Sequence, residues 1–589
     1  MSRGLVRLSA LAAVLLLLVA PLVLPSFTVT LLNYIGLYGL VSVGLVLLTG
    51  VAGLVSFGQA AFVGIAAYAT AWVSGLQGLS PWLGLLLGLG LTCAVAVVIG
   101  MITLRLQGHF LSLSTIAWGL AIGLLFGNVE GLGGFNGIAG VPPVAIGTWS
   151  LAGTGQIYYL IWGALVLALL ALHNLLNARL GRAMRTLRGG TTLVESLGIS
   201  AYGTRLTCFV IAAFLAGISG WLYAHLSRFV SPVPFEASAG IAYLMMAMVG
   251  GSASLIGGVV GAALVTLLKN GVQDYLPLIA RGASGQLEIV AFAALFIVFL
   301  QRARHGIVPF VAGRLPQPRR QRPPAAPPLR RRPRPEPGAA LLSVEGAVKR
   351  FGGVVAVNEV SFSVRAGEIV GLIGPNGAGK STMFNLLTGA LRPDRGRIGF
   401  AGRSIERLPQ ARIARAGIAR TFQHVKLRPG MTLLDTVMLG AHGRGRAGLL
   451  RGALGLDGAE EASLRHEAMQ QLERVGLSED PFELAGNLPL GKQRLLEIAR
   501  ALAADPVLLV LDEPAAGLRR LEKQRLAELL AALRAEHLTI LIVEHDMGFV
   551  MGLVDRLVVM DFGAKLCEGA PAAVRRDPRV QEAYLGGVI

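Results

Sequence analysis

The sequence predicts a chain of two unlike parts: an all-α polytopic membrane domain of about ten helices, some of them broken, followed by a soluble α/β domain. Three observations carry that prediction. Of 589 residues, 53% are hydrophobic, and the mean hydropathy of +0.63 is too high for a wholly soluble protein. Charge is crowded to one end: residues 1–300 hold only 11 of the 53 Lys and Arg and 5 of the 34 Asp and Glu. A glycine-rich loop set between an apolar strand and a helix occurs only in the charged half, after residue 368. The boundaries that follow are a membrane domain over 1–302, a linker over 303–340 and a soluble domain over 341–589.

Taken in order, Arg3 and Arg7 precede the apolar run Leu8–Leu24. This run is long, lacks an Ala-x-Ala cleavage signal and is followed by more apolar segments, so it reads as a first membrane helix rather than a leader. Further spans of the necessary ~20 residues are expected at roughly 28–49, 54–74, 82–104, 110–128, 157–177, 205–227 and 286–302. Cytoplasmic loops collect Lys and Arg. With the N-terminus inside, Arg105 and the basic stretch ARLGRAMRTLR fall inside, and the outer loop 129–156 has no Lys or Arg. Arg281 falls outside and runs against the scheme. The chain has to be inside again by 302, which requires the stretch Gly240–Leu268 to cross twice, broken at GGSASLIGG. Such a break is tolerated only where protein covers the freed backbone.

Glycine is frequent in this half, as in GLVSFGQAAFVGIAAYAT, and close helix packing accounts for it. Polar groups in a span are costly, and on that ground Ser56 and Gln59 are candidates to line a solute path. Residues 303–340 are too rich in proline for helix or sheet, which predicts an extended tether with its arginines against anionic membrane lipid. The net charge of +19 is not a sign of nucleic-acid binding, because no groove-reading or base-stacking module accompanies it. Cys93, Cys208 and Cys567 have neither disulfide nor zinc spacing.

The soluble half carries phosphate chemistry. The strand Ile369–Ile373 leads into Gly374-Pro-Asn-Gly-Ala-Gly-Lys380-Ser381, a phosphate loop in its strand–loop–helix context. Gly374, Asn376, Gly377 and Gly379 let backbone N–H groups face phosphate oxygens, and the helix N-terminus adds a favourable dipole. Lys380 suits the β- and γ-phosphates of ATP, the Ser381 hydroxyl suits Mg²⁺, and Thr382 follows at the helix start. The apolar run VLLVLDEP reads as a buried parallel strand ending in Asp512, placed to hold Mg²⁺ through water, and Glu513, placed to polarise an attacking water.

The order of the remaining pieces resembles an ATP-binding cassette (ABC) transporter ATPase along 342–589. Besides the phosphate loop and LLVLDEP, Gln423 in RTFQHVKL matches the Q-loop and its Mg²⁺ role, LPLGKQ holds the signature position, and His545 in VEHDM matches the switch histidine. Phe351 in KRFGG stands where that family stacks an aromatic ring on adenine. AVNEVSFSVRAGEIVGLIGPNGAGKST, GIARTFQHVKLRPGMTLLDTVMLGAH, LDEPAAGL, EHDM and DPRVQEAYLG are similar to the ATPase subunit of branched-chain amino-acid importers. GLVSFGQAAFVGIAAY, LRLQGHFLSLSTIAWG, GLGGFNGIAGVP, GRAMRTLR with ESLGIS, and YLMMAMVGGSASLIGGVVGA resemble the permease subunit of the same importers.

The resemblance implies an ATP-driven importer component in a bacterial inner membrane, with its N-terminus and ATPase domain cytoplasmic. It implies as partners an extracytoplasmic solute-binding protein and a second permease and second ATPase, in a heteromeric pair rather than a homodimer. It also implies that the inner loop around 178–203, with Arg182, Arg185, Glu195 and Gly198, is the coupling element, docking near Gln423. The signature helix is expected over Gln493–Leu502, with Gly491 keeping the approach to a partner's γ-phosphate open. Pro489 replaces the usual serine, Lys492 stands where the family pattern has Gln, and Arg519 and Arg520 stand where Asn and Pro are usual. These departures predict a weakened site across the ATPase pair. An ABC exporter half and a membrane-tethered regulatory ATPase are the alternatives. Exporters resemble a six-span layout with long charged cytosolic helices, which this glycine-rich, charge-poor half lacks.

Overall fold

The computed structural model describes residues 15–106, 108–279, 306–314 and 322–585, together with 290, 293–294, 297 and 301–302. The chain forms two compact units. The first comprises residues up to Asn177, Tyr202–Arg319 and Ala453–Gly455; the second comprises Ala178–Ala201, Arg320–Gly452 and Leu456 onward.

In the first unit, seven helices among the described residues are long and apolar enough to cross a membrane. They run over Ser26–Val51, Gln59–Leu76, Pro81–Thr103, His109–Asn128, Thr154–Asn177, Ala201–Ser227 and Leu255–Asp274. Ser26–Val51 and Gln59–Leu76 are largely buried within the unit, whereas Pro81–Thr103 and His109–Asn128 turn large leucines outward, among them Leu86, Leu113 and Leu124. An apolar outer face is what a bilayer solvates. The expected first and last spans, 8–24 and 286–302, lie partly outside the described residues, and Arg281 lies wholly outside them.

The stretch Gly240–Leu268 is indeed divided between two helices, Ala237–Gly250 and Leu255–Ile279, joined at Gly251–Ser254. The two are unequal, of 14 and 25 residues. A Cβ on Gly250 would run into the Gly257 carbonyl oxygen, and one on Gly261 into that of Met246. Close approach of two backbones therefore explains the glycines of this hairpin.

The helix expected at 54–74 starts later, at Gln59, and ends its last turn in π-helical geometry over Ala71–Leu76. Residues 53–58 are not helical: Gly53 has a φ of +75°, and the Phe57 N–H bonds the Thr115 hydroxyl at 3.2 Å instead of a helical carbonyl.

In the second unit a six-stranded sheet runs in the order Ile418–Arg420, Leu508–Asp512, Thr539–Val543, Ile369–Ile373, Arg556–Asp561, Ala564–Gly569. All neighbours are parallel except the last pair. Ile369–Ile373, Leu508–Asp512 and Thr539–Val543 are buried along their whole length, which is why each reads as a continuous apolar run. One face packs on Met383, Phe384 and Leu387; the other packs on Ile498, Leu502, Leu526 and Leu530.

A second, antiparallel sheet has the order Val354–Arg365, Ala340–Phe351, Arg395–Phe400, Arg403–Ser404. The helices Leu433–Gly440, Gly458–Arg474 and Leu490–Ala503 share a third apolar core around Val437, Leu464, Leu472 and Leu496. Because the strands are parallel and in register, with Asp512 opposite Val543 and Val543 opposite Leu372, their C-terminal ends gather the functional loops at one edge.

The linker departs from expectation in its first part. That part holds a short helix, Ile307–Ala312, with Pro309 in its first turn, where a missing N–H costs nothing, and the proline-dense run begins only after it. Residues 322–336 have no regular structure, and three of their arginines, Arg322, Arg332 and Arg334, bond the second unit. The Arg332 N–H donates to Asp505 Oδ2 at 2.5 Å and Arg332 Nη1 to the Arg415 carbonyl at 2.7 Å. Arg334 bonds Asp505 Oδ1 at 3.3 Å and the Pro506 carbonyl, and Arg322 meets Glu473 at 2.5 Å. Carboxylates and carbonyls of the second unit thus accept from Arg322, Arg332 and Arg334.

Candidate nucleotide site

The phosphate loop follows Ile373 and hands over to the helix Lys380–Leu387. Gly379 caps that helix with φ +91°, and a Cβ there would run into the Ala356 carbonyl oxygen, so only glycine fits. The Lys380 ammonium is tucked under the loop, its Nζ donating to the carbonyls of Gly374 at 2.7 Å and Pro375 at 2.8 Å. Burial pushes its pKa down, against the opposing pull of Glu513 and Asp512. Asn376, Gly377 and Ser381 are exposed and Thr382 is half-buried, leaving an uncapped helix N-terminus open to an anion. Phe351, 47% exposed, sits on the hairpin opposite Val354, two residues from Ala356. Lys349 Nζ lies 5.6 Å from its ring centroid.

Asp512 ends its strand almost completely buried. Arg420 Nη2 donates to its Oδ2 at 2.9 Å, while Oδ1 is buried with no hydrogen-bond partner. Burial raises the Asp512 pKa, with Arg420 opposing. The same Arg420 reaches Asn385 Oδ1 at 2.6 Å and the Thr388 hydroxyl at 3.1 Å on the phosphate-loop helix, tying the two loops together. An orphaned carboxylate oxygen, the exposed Ser381 hydroxyl and the exposed Gln423 amide make a hard, oxygen-rich donor set that fits a hydrated Mg²⁺.

Glu513, Gln423 and His545 come together. Gln423 Nε2 donates to Glu513 Oε2 at 3.0 Å, and His545 Nδ1 stands 3.6 Å from Glu513 Oε1. Glu513 holds a left-handed backbone, φ +48°, uncommon for a side chain of its size. Beneath it, buried Glu544 accepts the Ala515 N–H at 2.6 Å, and burial raises the Glu544 pKa.

The signature helix runs over Leu490–Ala503, three residues longer at its start than expected. Pro489 is its N-cap, and a proline there needs no N–H partner; Gly491 and Lys492 therefore lie in the first turn, not before it. Gly491 is buried, with the Glu522 carboxylate 2.7 Å from where a Cβ would stand, and Lys492 is exposed. Glu522 also accepts the Arg519 N–H at 2.8 Å, which caps the helix Arg520–Ala535. Gln493 Nε2 donates to the Leu488 carbonyl at 2.8 Å.

The segment Ala178–Ala201 packs within the second unit. On its helix Arg179–Thr186, Arg182 forms a buried two-pronged pair with Glu461, at 2.7 and 2.8 Å. Arg179 donates to the carbonyls of His442 at 2.8 Å and Ala447 at 2.7 Å. His442 is buried among Arg179, Arg182 and Arg415, and desolvation first, then those charges, depress its pKa to about 3. The Gly198 carbonyl accepts from Arg415 Nε at 2.7 Å. Glu195 lies half-buried on the helix Thr191–Ser196. Arg185 and Arg188 lie close enough to Arg428 to depress its pKa alongside burial. Arg428 is only five residues beyond Gln423.

Ser56 and Gln59 lie inside the first unit, at 2% and 1% exposure, with Ser56 Oγ and both Gln59 amide atoms unbonded. Sequence reasoning missed Arg420, Arg494 and Glu461. Arg420 and Arg494 adjoin motifs in RTFQ and GKQR and were open to notice; Glu461 is 279 residues from Arg182, and no local pattern announces it.

Comparison with known proteins adds the relatives. The family described as branched-chain amino acid transport system / permease component matches residues 27–300. The ABC transporter family matches 357–516, and the branched-chain amino acid ATP-binding cassette transporter family matches 564–588. The high-affinity branched-chain amino acid transport ATP-binding protein LivG of Salmonella typhimurium is 47% identical over 251 residues, covering 42% of this chain and 98% of that protein. The corresponding protein BraF of Pseudomonas aeruginosa is 43% identical over 249 residues, covering 42% of this chain and 98% of its own. A nucleotide-free ATP-binding cassette from an ABC transporter, known as a crystal structure, is 34% identical, covers 42% of this chain and 100% of its own, and has a TM-score of 0.37.

Proposed function

The chain belongs to the branched-chain amino-acid ABC transporter family, with permease and ATP-binding parts in one polypeptide, and on that premise we propose an importer component that carries branched-chain amino acids inward across a bacterial inner membrane. Its ATPase domain binds nucleotide and couples ATP hydrolysis to transport. The observation that carries the hydrolytic part is the Glu513 carboxylate, flanked by the Gln423 amide at 3.0 Å and the His545 imidazole at 3.6 Å, next to the phosphate loop.

In this reading the phosphate loop with Lys380, Ser381 and Thr382 binds the ATP phosphates, and Phe351 stacks on adenine. Ser381, Gln423 and, through water, Asp512 hold Mg²⁺, whose chemistry when bound is to neutralise phosphate charge. Glu513 orients and polarises the attacking water, and a carboxylate in hydrogen-bond reach of that water acts as its base. Pro489, Gly491, Lys492 and Gln493 face the nucleotide of a second ATPase. Arg182, Arg185, Glu195 and Gly198 couple the permease to the ATPase. Ser56 and Gln59 line the solute path. An extracytoplasmic solute-binding protein, a second permease and a second ATPase, the pair heteromeric, complete the complex. The N-terminus and ATPase domain lie in the cytoplasm.

The test is uptake of labelled leucine into proteoliposomes that contain the complex, with ATP and Mg²⁺ on the cytoplasmic side and the binding protein on the other. Glu513→Gln should retain ATP binding and abolish both hydrolysis and uptake. Unchanged ATP turnover would remove Glu513 from its role, and ATP-driven leucine efflux would overturn import.

A further inference from the structure

The buried face of the helix Leu490–Ala503 carries three charged side chains at three-residue spacing: Arg494, Glu497 and Arg500, at 9%, 2% and 3% exposure. Burying such groups is costly unless each finds partners. Their partners are almost all main-chain atoms of two functional segments. Glu497 Oε1 accepts the Lys426 N–H at 2.9 Å and Arg500 Nη2 at 2.9 Å, and Arg500 Nη1 donates to the Lys426 carbonyl at 2.7 Å. Arg494 divides its fork: Nη1 donates to the Glu513 carbonyl at 2.8 Å and Nη2 to the Gln423 carbonyl at 3.3 Å.

These bonds close a ring. Gln423 and Glu513 meet through their side chains at 3.0 Å, and one guanidinium joins their main chains from behind. Glu513 needs such support. A non-glycine residue in the left-handed region is strained and persists only where its surroundings over-determine it. The Glu513 N–H is held by the Val543 carbonyl at 2.9 Å, and its carbonyl accepts Arg494 and, more weakly, the Ala516 N–H at 3.2 Å. Without Arg494, the Glu513 carbonyl loses its shortest bond, and the Gln423 and Glu513 main chains lose the guanidinium that bridges them, leaving their side-chain bond unsupported from behind.

We propose that Arg494 is a positioning residue for ATP hydrolysis: by clasping the carbonyls of Glu513 and Gln423 with one guanidinium, it sets the Glu513 carboxylate against the Gln423 amide. A planar fork spans two carbonyls at once. A lysine ammonium on a flexible stem keeps the charge but cannot hold both in fixed geometry. The inference rests on Glu513 as the hydrolytic carboxylate, and its test separates the two.

The experiment measures steady-state ATPase of the full-length chain in its complex for wild type, Arg494→Lys, Glu513→Gln and the double variant, with binding of a fluorescent ATP analogue measured alongside. A misplacement of about 1 Å is worth on the order of 10²-fold in rate, so Arg494→Lys should lower kcat by about that factor with KM and analogue affinity unchanged within about twofold. In the Glu513→Gln background, Arg494→Lys should leave the residual single-turnover rate unchanged, because the group it positions is already gone. A kcat within about twofold of wild type, loss of analogue binding together with turnover, or an additive loss in the double variant would each overturn the assignment. If Glu513→Gln itself leaves turnover intact, the reading of Glu513 fails, not the clasp alone.

Discussion

Removing the Glu461 carboxylate should detach the basic segment Ala178–Ala201 from its seat while leaving the nucleotide site whole. Arg182 and Glu461 are 2% and 5% exposed, and both oxygens of the carboxylate are used, at 2.7 and 2.8 Å. Breaking one partner of a buried, hydrogen-bonded ion pair costs about 3–5 kcal/mol, because the remaining charge is left uncompensated away from water. The whole domain need not unfold to relieve that cost. The segment can swing Arg182 into solvent, giving up the two Arg179 bonds to carbonyls and the Arg415 bond to Gly198.

At 1.4 kcal/mol per decade, Glu461→Ala should lower amide-exchange protection across 179–186 by on the order of 10²–10³-fold. Basal ATP hydrolysis should be unchanged, since Glu461 bonds none of the phosphate-loop, Gln423 or Glu513 groups among the described residues. Solute-stimulated hydrolysis should be lost. Replacing both partners by apolar groups, Arg182→Met with Glu461→Leu, should restore much of the protection, because no buried charge remains. Protection within about threefold of wild type in Glu461→Ala would refute the reasoning, since the pair would then hold nothing in place.

The remaining predictions concern other contacts. Arg334→Ala removes the guanidinium from Asp505 Oδ1, a 6%-exposed carboxylate at φ +50°, while the Arg332 main-chain N–H stays on Oδ2, and should cost about 1.5 kcal/mol in urea unfolding of the second unit; a change under about 0.5 kcal/mol would show the linker to be a passive tether. Lys492→Gln should raise ATP turnover by restoring the usual signature residue at an exposed first-turn position, and a complex no faster than wild type counts against an impaired signature. Asp546 caps the helix Met547–Met551 and bonds Lys523 at 2.5 Å, and those contacts, Lys523 first, hold its pKa below the ordinary carboxylate value. Its contribution is therefore present above the unfolded pKa of about 3.9 and lost as pH falls through the folded one. Asp546→Ala should cost about 1 kcal/mol at neutral pH, with the gap from wild type closing in acid melts below about pH 4; a gap independent of pH would contradict the ion pair.

Much of the molecule is determined by the sequence alone. Parity of charge predicts a break within the Gly240–Leu268 stretch, because arginine marks the inside, and the chain does break there, between Ala237–Gly250 and Leu255–Ile279. The phosphate loop, the buried strand ending in Asp512 and Glu513, and the residues Gln423 and His545 are local in sequence, since each needs a fixed backbone shape that only certain residues adopt. The start of the helix at Gln59 was not legible, because the Thr115 hydroxyl that takes the Phe57 N–H lies 58 residues away. For the same reason the linker arginines looked free in the sequence: Asp505, their partner, is more than 170 residues distant.

What only the tertiary structure decided is which charges meet. Arg182 with Glu461, Arg420 with Asp512, and Arg494 with the carbonyls of Glu513 and Gln423 are pairings made by the fold. Hydropathy and spacing specify which face of an element is buried. They do not specify which buried charge neutralises which, because that depends on ångström distances between segments the chain brings together only once it is folded.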